Sequence, residues 1–233
     1  KDYEVVVFGN RAPALTTPKG NFKLAQISAL TTPDVDAAGA CEVVCYTSDH
    51  SSSFAKLSEK QIRAVLEAWK DRDNALSKLP FIEQVFIFEN RGEEVGVTLS
   101  HPHGQIYAYS FLPPKIEKML QVANDHLAKT GKVLLDEVIK REIKDEKRII
   151  FQNSEWIAYV PYAARYPFEI HIAPMRGVSN MSGLDEKQSA AFAPISKEVL
   201  TRLDGVFGIE MAYIASWYQA PVNSGKDSMR LHW

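Results

Sequence analysis

The sequence predicts an α+β protein made of a tandem pair of repeats, each an antiparallel sheet segment flanked by a long helix. Three observations carry this. "LSEKQ" at 57–61 recurs as "LDEKQ" at 184–188, an offset of 127 residues. At that offset the strand-like "EVVCYT" at 42–47 faces "EIHIAP" at 169–174, and "VFIFEN" at 85–90 lies within a residue of "AYIASW" at 212–217. The order of elements, strand then polar loop then capped helix then two strands, is the same in both copies.

Taken in order, "KDYEVVVFGN" opens on a strand and "EVVCYT" gives the next. Ser58 and Gln61 form an S-x-x-Q capping box, with Leu57 placed to staple onto Ile62. Ile62, Val65, Leu66 and Trp69 then recur at i, i+3, i+4 and i+7, one apolar stripe of a helix. "VFIFEN" is a strand, with a turn expected at Asn90-Arg91-Gly92. Residues 115–143 read as one or two connecting helices broken at Gly131, and "RIIFQNSEWIAYVPY" opens the second half. Asp185 and Gln188 repeat the capping box on a helix running to about Gly205. The organisation expected is a first repeat over 1–114, connecting helices over 115–147 and a second repeat over 148–233, packed as one unit.

Composition excludes several classes. Lys and Arg total 27 against 29 Asp and Glu, so no polybasic face invites nucleic acid or an anionic membrane. No apolar run approaches the roughly 20 residues of a membrane span, and the N-terminus has no signal-peptide layout. Two cysteines, Cys41 and Cys45, are too few for a disulfide framework and read as small buried hydrophobes, so a reducing cytoplasm is expected.

The chemistry concentrates in "HPHGQ" at 101–105. Side chains alternate in a strand, which puts His101, His103 and Gln105 on one face and Pro102, Gly104 and Ile106 on the other. Three polar groups in a row do not suit a core. Pro102 removes a ladder donor and suggests an edge or an irregularity, and Gly104 suggests close approach of a backbone or ligand. Imidazole can serve as nucleophile, acid/base or metal ligand. A neutral Gln105 can donate to charge developing on a transferring phosphoryl group, which a carboxylate would repel. Upstream, "NRGEEVG" offers backbone N–H groups to phosphate oxygens. A bare H-x-H is as readily a structural zinc pair or a solvent-facing pair, but this string with its glycines fits phosphoryl or nucleotidyl transfer better.

"HPHGQIYA" resembles the active-site signature of the galactose-1-phosphate uridylyltransferase family, the nucleotidyl-transferring branch of the histidine triad superfamily. The likeness extends over "YEVVVFGNRAPAL", "EVVCYTSDHSSSFAKLSEKQIRAVLEAW", "VFIFENRGEEVG", "YVPYAARYPFEIHIAP" and "SWYQAPVN". It implies a pair of histidine-triad-like repeats whose antiparallel sheets form half-barrels. It also implies ping-pong exchange of UMP between UDP-glucose and galactose-1-phosphate, giving glucose-1-phosphate and UDP-galactose. His103 would be the nucleophile, with His101 as its organiser through a nearby backbone carbonyl. Gln105 would bond the transferring phosphoryl group. Phe8 and Asn10 would meet the uridine moiety, Asn90 would sit near the phosphoryl groups, and Gly96 and Thr98 would line the phosphate path. A homodimer is implied.

The resemblance also implies metals. His50 and His101 match two ligands of a structural Zn2+; Cys41 and Cys45 lack the spacing of its Cys-x-x-Cys pair, so either that pair lies upstream of these residues or the site is degenerate. No organic cofactor is implied. A second metal is expected to be absent, since Met119 and Tyr218 stand where ligands would be and only His232 remains of a late pair. A C-terminal segment that completes a partner's site is likewise expected beyond "RLHW". His126 and His171 read as structural. Two other readings share the fold: a related transferase or phosphorylase acting on an ADP-sugar or dinucleotide, and a nucleotide-binding module without turnover.

Overall fold

A computed structural model describes residues 2–18 and 37–233. The described chain has two antiparallel sheets and four α-helices. Strands β1 (Val6–Gly9), β2 (Gly39–Cys45), β3 (Gln84–Arg91) and β4 (His103–Tyr109) share a five-stranded sheet with β8 (Tyr213–Ser216), in the order β1-β2-β4-β3-β8. A smaller sheet holds β5 (Ile149–Gln152), β6 (Trp156–Tyr159) and β7 (His171–Pro174) in sequence order. Helix α1 (Glu59–Leu76) lies between β2 and β3, α2 (Pro114–Thr130) and α3 (Leu134–Asp145) follow β4, and α4 (Glu186–Phe207) lies between β7 and β8. This is the α+β class expected.

The two halves run alike from strand through capped helix to the next strand, but β3 and β4 follow α1 whereas β8 is the one described strand that follows α4. Each long helix is preceded by a short 3-10 helix, Phe54–Lys56 or Met181–Gly183. Each is then closed by a complete capping box, Ser58 with Gln61 on α1 and Asp185 with Gln188 on α4. Those reciprocal bonds satisfy N–H groups that the first helical turn leaves without partners. Gly131, with φ near 69°, ends α2 in the left-handed conformation that glycine adopts without a Cβ clash. Pro194 sits inside α4 and does not end it, because burial of Phe192, Ala193, Ile195 and Val199 outweighs the lost hydrogen bond.

One core joins both repeats. Trp69 of α1 meets Trp217 at 6.1 Å between ring centroids, and Trp217 meets Phe192 of α4 at 5.0 Å. Trp156 closes on Phe192 at 5.2 Å, and Trp69, Trp156 and Trp217 are almost wholly buried. Such rings dominate core energetics by area, with about 1 kcal/mol more per well-placed pair. The sheets are linked through Tyr218, which bridges His232, and through Trp233, which exchanges backbone hydrogen bonds with Ile172 at 2.7 and 2.8 Å.

Gln219 stitches the repeats with polar contacts. Its Nε2 donates to Asp73 Oδ1 at 2.7 Å and to the Val85 carbonyl at 3.2 Å, while its Oε1 accepts from Met181 N at 3.0 Å. Asp73 is buried, and burial pushes its carboxyl up to about 6 despite the opposing bond from Gln219. An acid whose folded pKa lies above its unfolded value costs stability as pH rises. Here the loss begins near pH 4 and is complete above about 6. Asp73→Asn, which keeps an acceptor for Gln219, is therefore expected to flatten this slope and stabilise the fold at pH 8 by up to about 3 kcal/mol. Urea unfolding at pH 5 and pH 8 measures it.

Candidate active site

The five-stranded sheet has one face on the core and one turned away from it. Glu42, Val44, Ile106, Ala108, Val85 and Ile87 face the core and α1. Register then fixes the other face. One row across the strands reads Phe8, Val43, Gln105, Phe88 and Ser216, and the neighbouring row contains Val6, Cys45 and His103. Asn90 pairs with Ile214 on the same face.

At the start of β4 this face opens into a cleft of about 140 Å³. His103 and Gln105 line it from β4, Phe88 and Asn90 from β3. The loop between these strands closes one side with Gly96, Val97, Thr98 and Leu99. Five residues expected at the site thus converge: Asn90, Gly96, Thr98, His103 and Gln105. Gly96 has φ near 85°, with open space where a side chain would project. Asn90 Oδ1 is buried without a hydrogen-bond partner. A buried acceptor left unpaired costs about 1–3 kcal/mol, which a ligand donor would recover.

His103 is held in one tautomer. Its Nδ1 lies 2.7 Å from the His101 carbonyl oxygen, which can only accept, so Nδ1 carries the proton and Nε2 keeps its lone pair. The expected organiser role of His101 is therefore met by its backbone. The His101 ring turns elsewhere, with Nε2 at 3.1 Å from the Tyr3 hydroxyl and Nδ1 at 2.9 Å from Nδ1 of His50. Burial, with His50 and His103 adding to it, lowers the His101 pKa and favours the neutral ring. Two imidazole nitrogens this close fit two corners of a tetrahedral zinc site, which needs four. Among the described residues no group of three or more His, Cys, Asp or Glu gathers to complete it. Cys45 lies beside Tyr3, and both have raised pKa values, chiefly through burial.

Three sequence expectations need correction, those for Pro102, Asn90 and Cys45. The active strand begins at His103, so His101 and Pro102 precede the ladder, and β4 is central rather than an edge; Pro102 contributes its carbonyl to Tyr46 N at 3.1 Å. Gly104 admits the close backbone expected, since a Cβ there would fall 2.9 Å from the Phe88 carbonyl oxygen, and it would lie still closer, at 2.1 Å, to the Tyr46 hydroxyl. Asn90 stands in β3 and forms no turn. Cys41 is buried as expected, but Cys45 is only half-buried. Asn10 does make turn contacts, accepting from Ala12 N at 3.0 Å, and lies outside the cleft lining with the exposed Phe8. Phe8 is two strands from Gln105, about 10 Å along its row. Phe88, Val97 and Leu99 were missed, although the two-residue period from Phe86 through Phe88 to Asn90 already put Phe88 on this face.

Among the described residues no helix is long and apolar enough to cross a membrane. Comparison with known proteins bears on the site as a whole. Residues 1–113 match the family model described as galactose-1-phosphate uridyl transferase, N-terminal domain, and residues 118–233 match its C-terminal domain. A galactose-1-phosphate uridylyltransferase of Streptomyces lividans is 45% identical over 223 residues, covering 94% of this chain and 57% of that protein. The Thermotoga maritima protein of the same name is 37% identical over 240 residues, covering the whole chain and 72% of its relative. A solved uridylyltransferase structure superposes with a TM-score of 0.90 at 32% identity, over 99% of this chain and 72% of that one. The chain thus spans little more than half of the Streptomyces relative's length. Two domain models matched in order, and a relative covered across most of its own length, establish that the chain belongs to the galactose-1-phosphate uridylyltransferase family.

Proposed function

We propose that this chain carries out uridylyl transfer, moving UMP from UDP-glucose to galactose-1-phosphate and releasing glucose-1-phosphate and UDP-galactose. The observation that carries this is the His103 ring, anchored through Nδ1 on the His101 carbonyl and bordering a cleft shared with Asn90 and Gln105. Its free Nε2 attacks the α-phosphorus of UDP-glucose. A nitrogen–phosphorus bond forms as the bond to the glucose-1-phosphate oxygen breaks, leaving a uridylyl-imidazole. The positive charge that develops on the ring is offset at Nδ1–H by the carbonyl already bonded to it, so no proton need leave during attack. A phosphate oxygen of galactose-1-phosphate then displaces the histidine, which regenerates the free enzyme.

In this reading Gln105 donates to the non-bridging oxygens, Thr98 and the Gly96 backbone line the phosphate path, and Asn90 meets the phosphoryl groups. Phe8 and Asn10 take the uridine moiety, a short reach along the sheet from Gln105. His50 and His101 would hold a structural zinc, whose contribution is to fix the His101 backbone. The free cysteines suit a reducing, cytoplasmic setting, and the assembly is a homodimer.

The test is intact mass after mixing with UDP-glucose: a gain of one UMP, lost on adding galactose-1-phosphate. Loading by ADP-glucose instead would point to the ADP-sugar reading, and no adduct at all to a binding module. Gln105→Glu puts a carboxylate beside the phosphoryl oxygens, and kcat is expected to fall about 10²- to 10³-fold in steady-state assays.

A further inference from the structure

Strand β3 turns Phe88 and Asn90 to the cleft and Glu89 to the opposite, buried side. Behind the reacting strand sits a small polar cluster that the chemistry above leaves unused. Tyr46 is fully buried, and its hydroxyl presses on Gly104, between His103 and Gln105. Its ring cannot swing away, because Phe54 at 5.3 Å and Trp69 at 5.8 Å hold it edge-on. Glu89 Oε1 accepts from the Tyr213 hydroxyl at 2.8 Å. Glu89 Oε2 and Tyr46 Oη are both buried without a well-formed hydrogen bond, and the two groups interact electrostatically. Arg91 faces the cluster, but its guanidinium is held by Asp204 and the Met211 carbonyl.

We propose that Glu89 is a positioning residue for transfer: its neutral carboxyl keeps the Tyr46 phenol seated under Gly104 and so sets the height of His103 and Gln105 in the cleft. The inference rests on His103 being the nucleophile. A buried phenol and a buried carboxyl oxygen side by side are costly unless a proton lies between them, and either the phenol or a neutral carboxyl can supply it. Burial pushes Glu89 up to about 7, with Tyr213, Arg91 and Tyr46 pulling the other way. The groups facing it are Tyr46 from the end of β2, Tyr213 from β8, Arg91 from β3 and, beyond Arg91, Asp204 from α4. Deprotonation leaves Oε2 purely an acceptor, so the Tyr46 O–H must turn to donate to it; with the ring wedged, the adjustment falls on the contact between the hydroxyl and Gly104.

The experiment follows His103 uridylylation in single turnovers across a pH series, using UDP-glucose and the full chain. In the wild type the rate is expected to decline as pH rises through about 7. Glu89→Gln, a neutral isostere, is expected to stay within about twofold at low pH and to lack the decline. Glu89→Leu and Tyr46→Phe are expected to lower kcat about tenfold with KM for UDP-glucose unchanged. A Glu89→Gln profile that keeps the wild-type decline overturns the proposal, as does unchanged kcat in folded Glu89→Leu and Tyr46→Phe. If Glu89→Leu fails to fold, the Glu89→Gln profile decides alone. A wild-type chain that never takes up UMP removes the uridylyl-transfer reading itself, an outcome separate from equal labelling of all variants.

Discussion

His103→Asn is expected to abolish uridylyl transfer, lowering kcat by about 10⁴-fold or more, or roughly 5–6 kcal/mol in the barrier. The size follows from the proposed role: without Nε2 no covalent intermediate would form, and Gln105 and Gly96 would be left stabilising an attack that no longer happens. The fold should survive, because the ring is only half-buried and gives up one hydrogen bond, to the His101 carbonyl, worth about 1 kcal/mol. The check is intact mass with UDP-glucose beside a urea melt. A variant that melts like wild type and gains no UMP has lost the nucleophile alone. One that still gains UMP transfers through another atom, and the mechanism falls.

Gly104→Ala is expected to cost about 3 kcal/mol of stability and most of the activity, by a different route. The new methyl would sit 2.1 Å from Tyr46 Oη and 2.9 Å from the Phe88 carbonyl oxygen. Phe88 belongs to the neighbouring ladder strand, and Tyr46 is wedged between Phe54 and Trp69. Neither can retreat, so β4 must lift and carry His103 and Gln105 with it. Tyr46→Phe on the same background removes the nearer atom and should return part of the lost stability. A double-mutant cycle in urea measures that coupling, and strict additivity would show that the two groups do not collide.

Much of the fold was legible because its signals are local. The capping boxes at Ser58 and Asp185 need only residues three apart, and both formed. The alternation through His103, Gly104, Gln105 and Ile106 needs only a strand, and a half-buried, buried alternation followed. Pro194 shows the reverse: local chemistry argues for a break, and the helix continues because its buried face is fixed by contacts with other elements. Asn90 and Pro102 were misplaced for a related reason, since the turn tendency of Asn-Arg-Gly and the edge tendency of proline both yield to how β3, β4 and β8 pair.

By itself the sequence determined the helix caps, the face of the strand that carries the candidate site, and the motif that names the family. The tertiary structure alone decided that the His101 ring turns to Tyr3 and His50, that Tyr46 presses on Gly104, and that Glu89 lies buried beneath both. The division follows from distance along the chain. Hydrogen bonds within a helical turn and alternation within a strand are set by near neighbours. Which oxygen meets which backbone across a sheet depends on register and packing between segments that only the folded chain brings together.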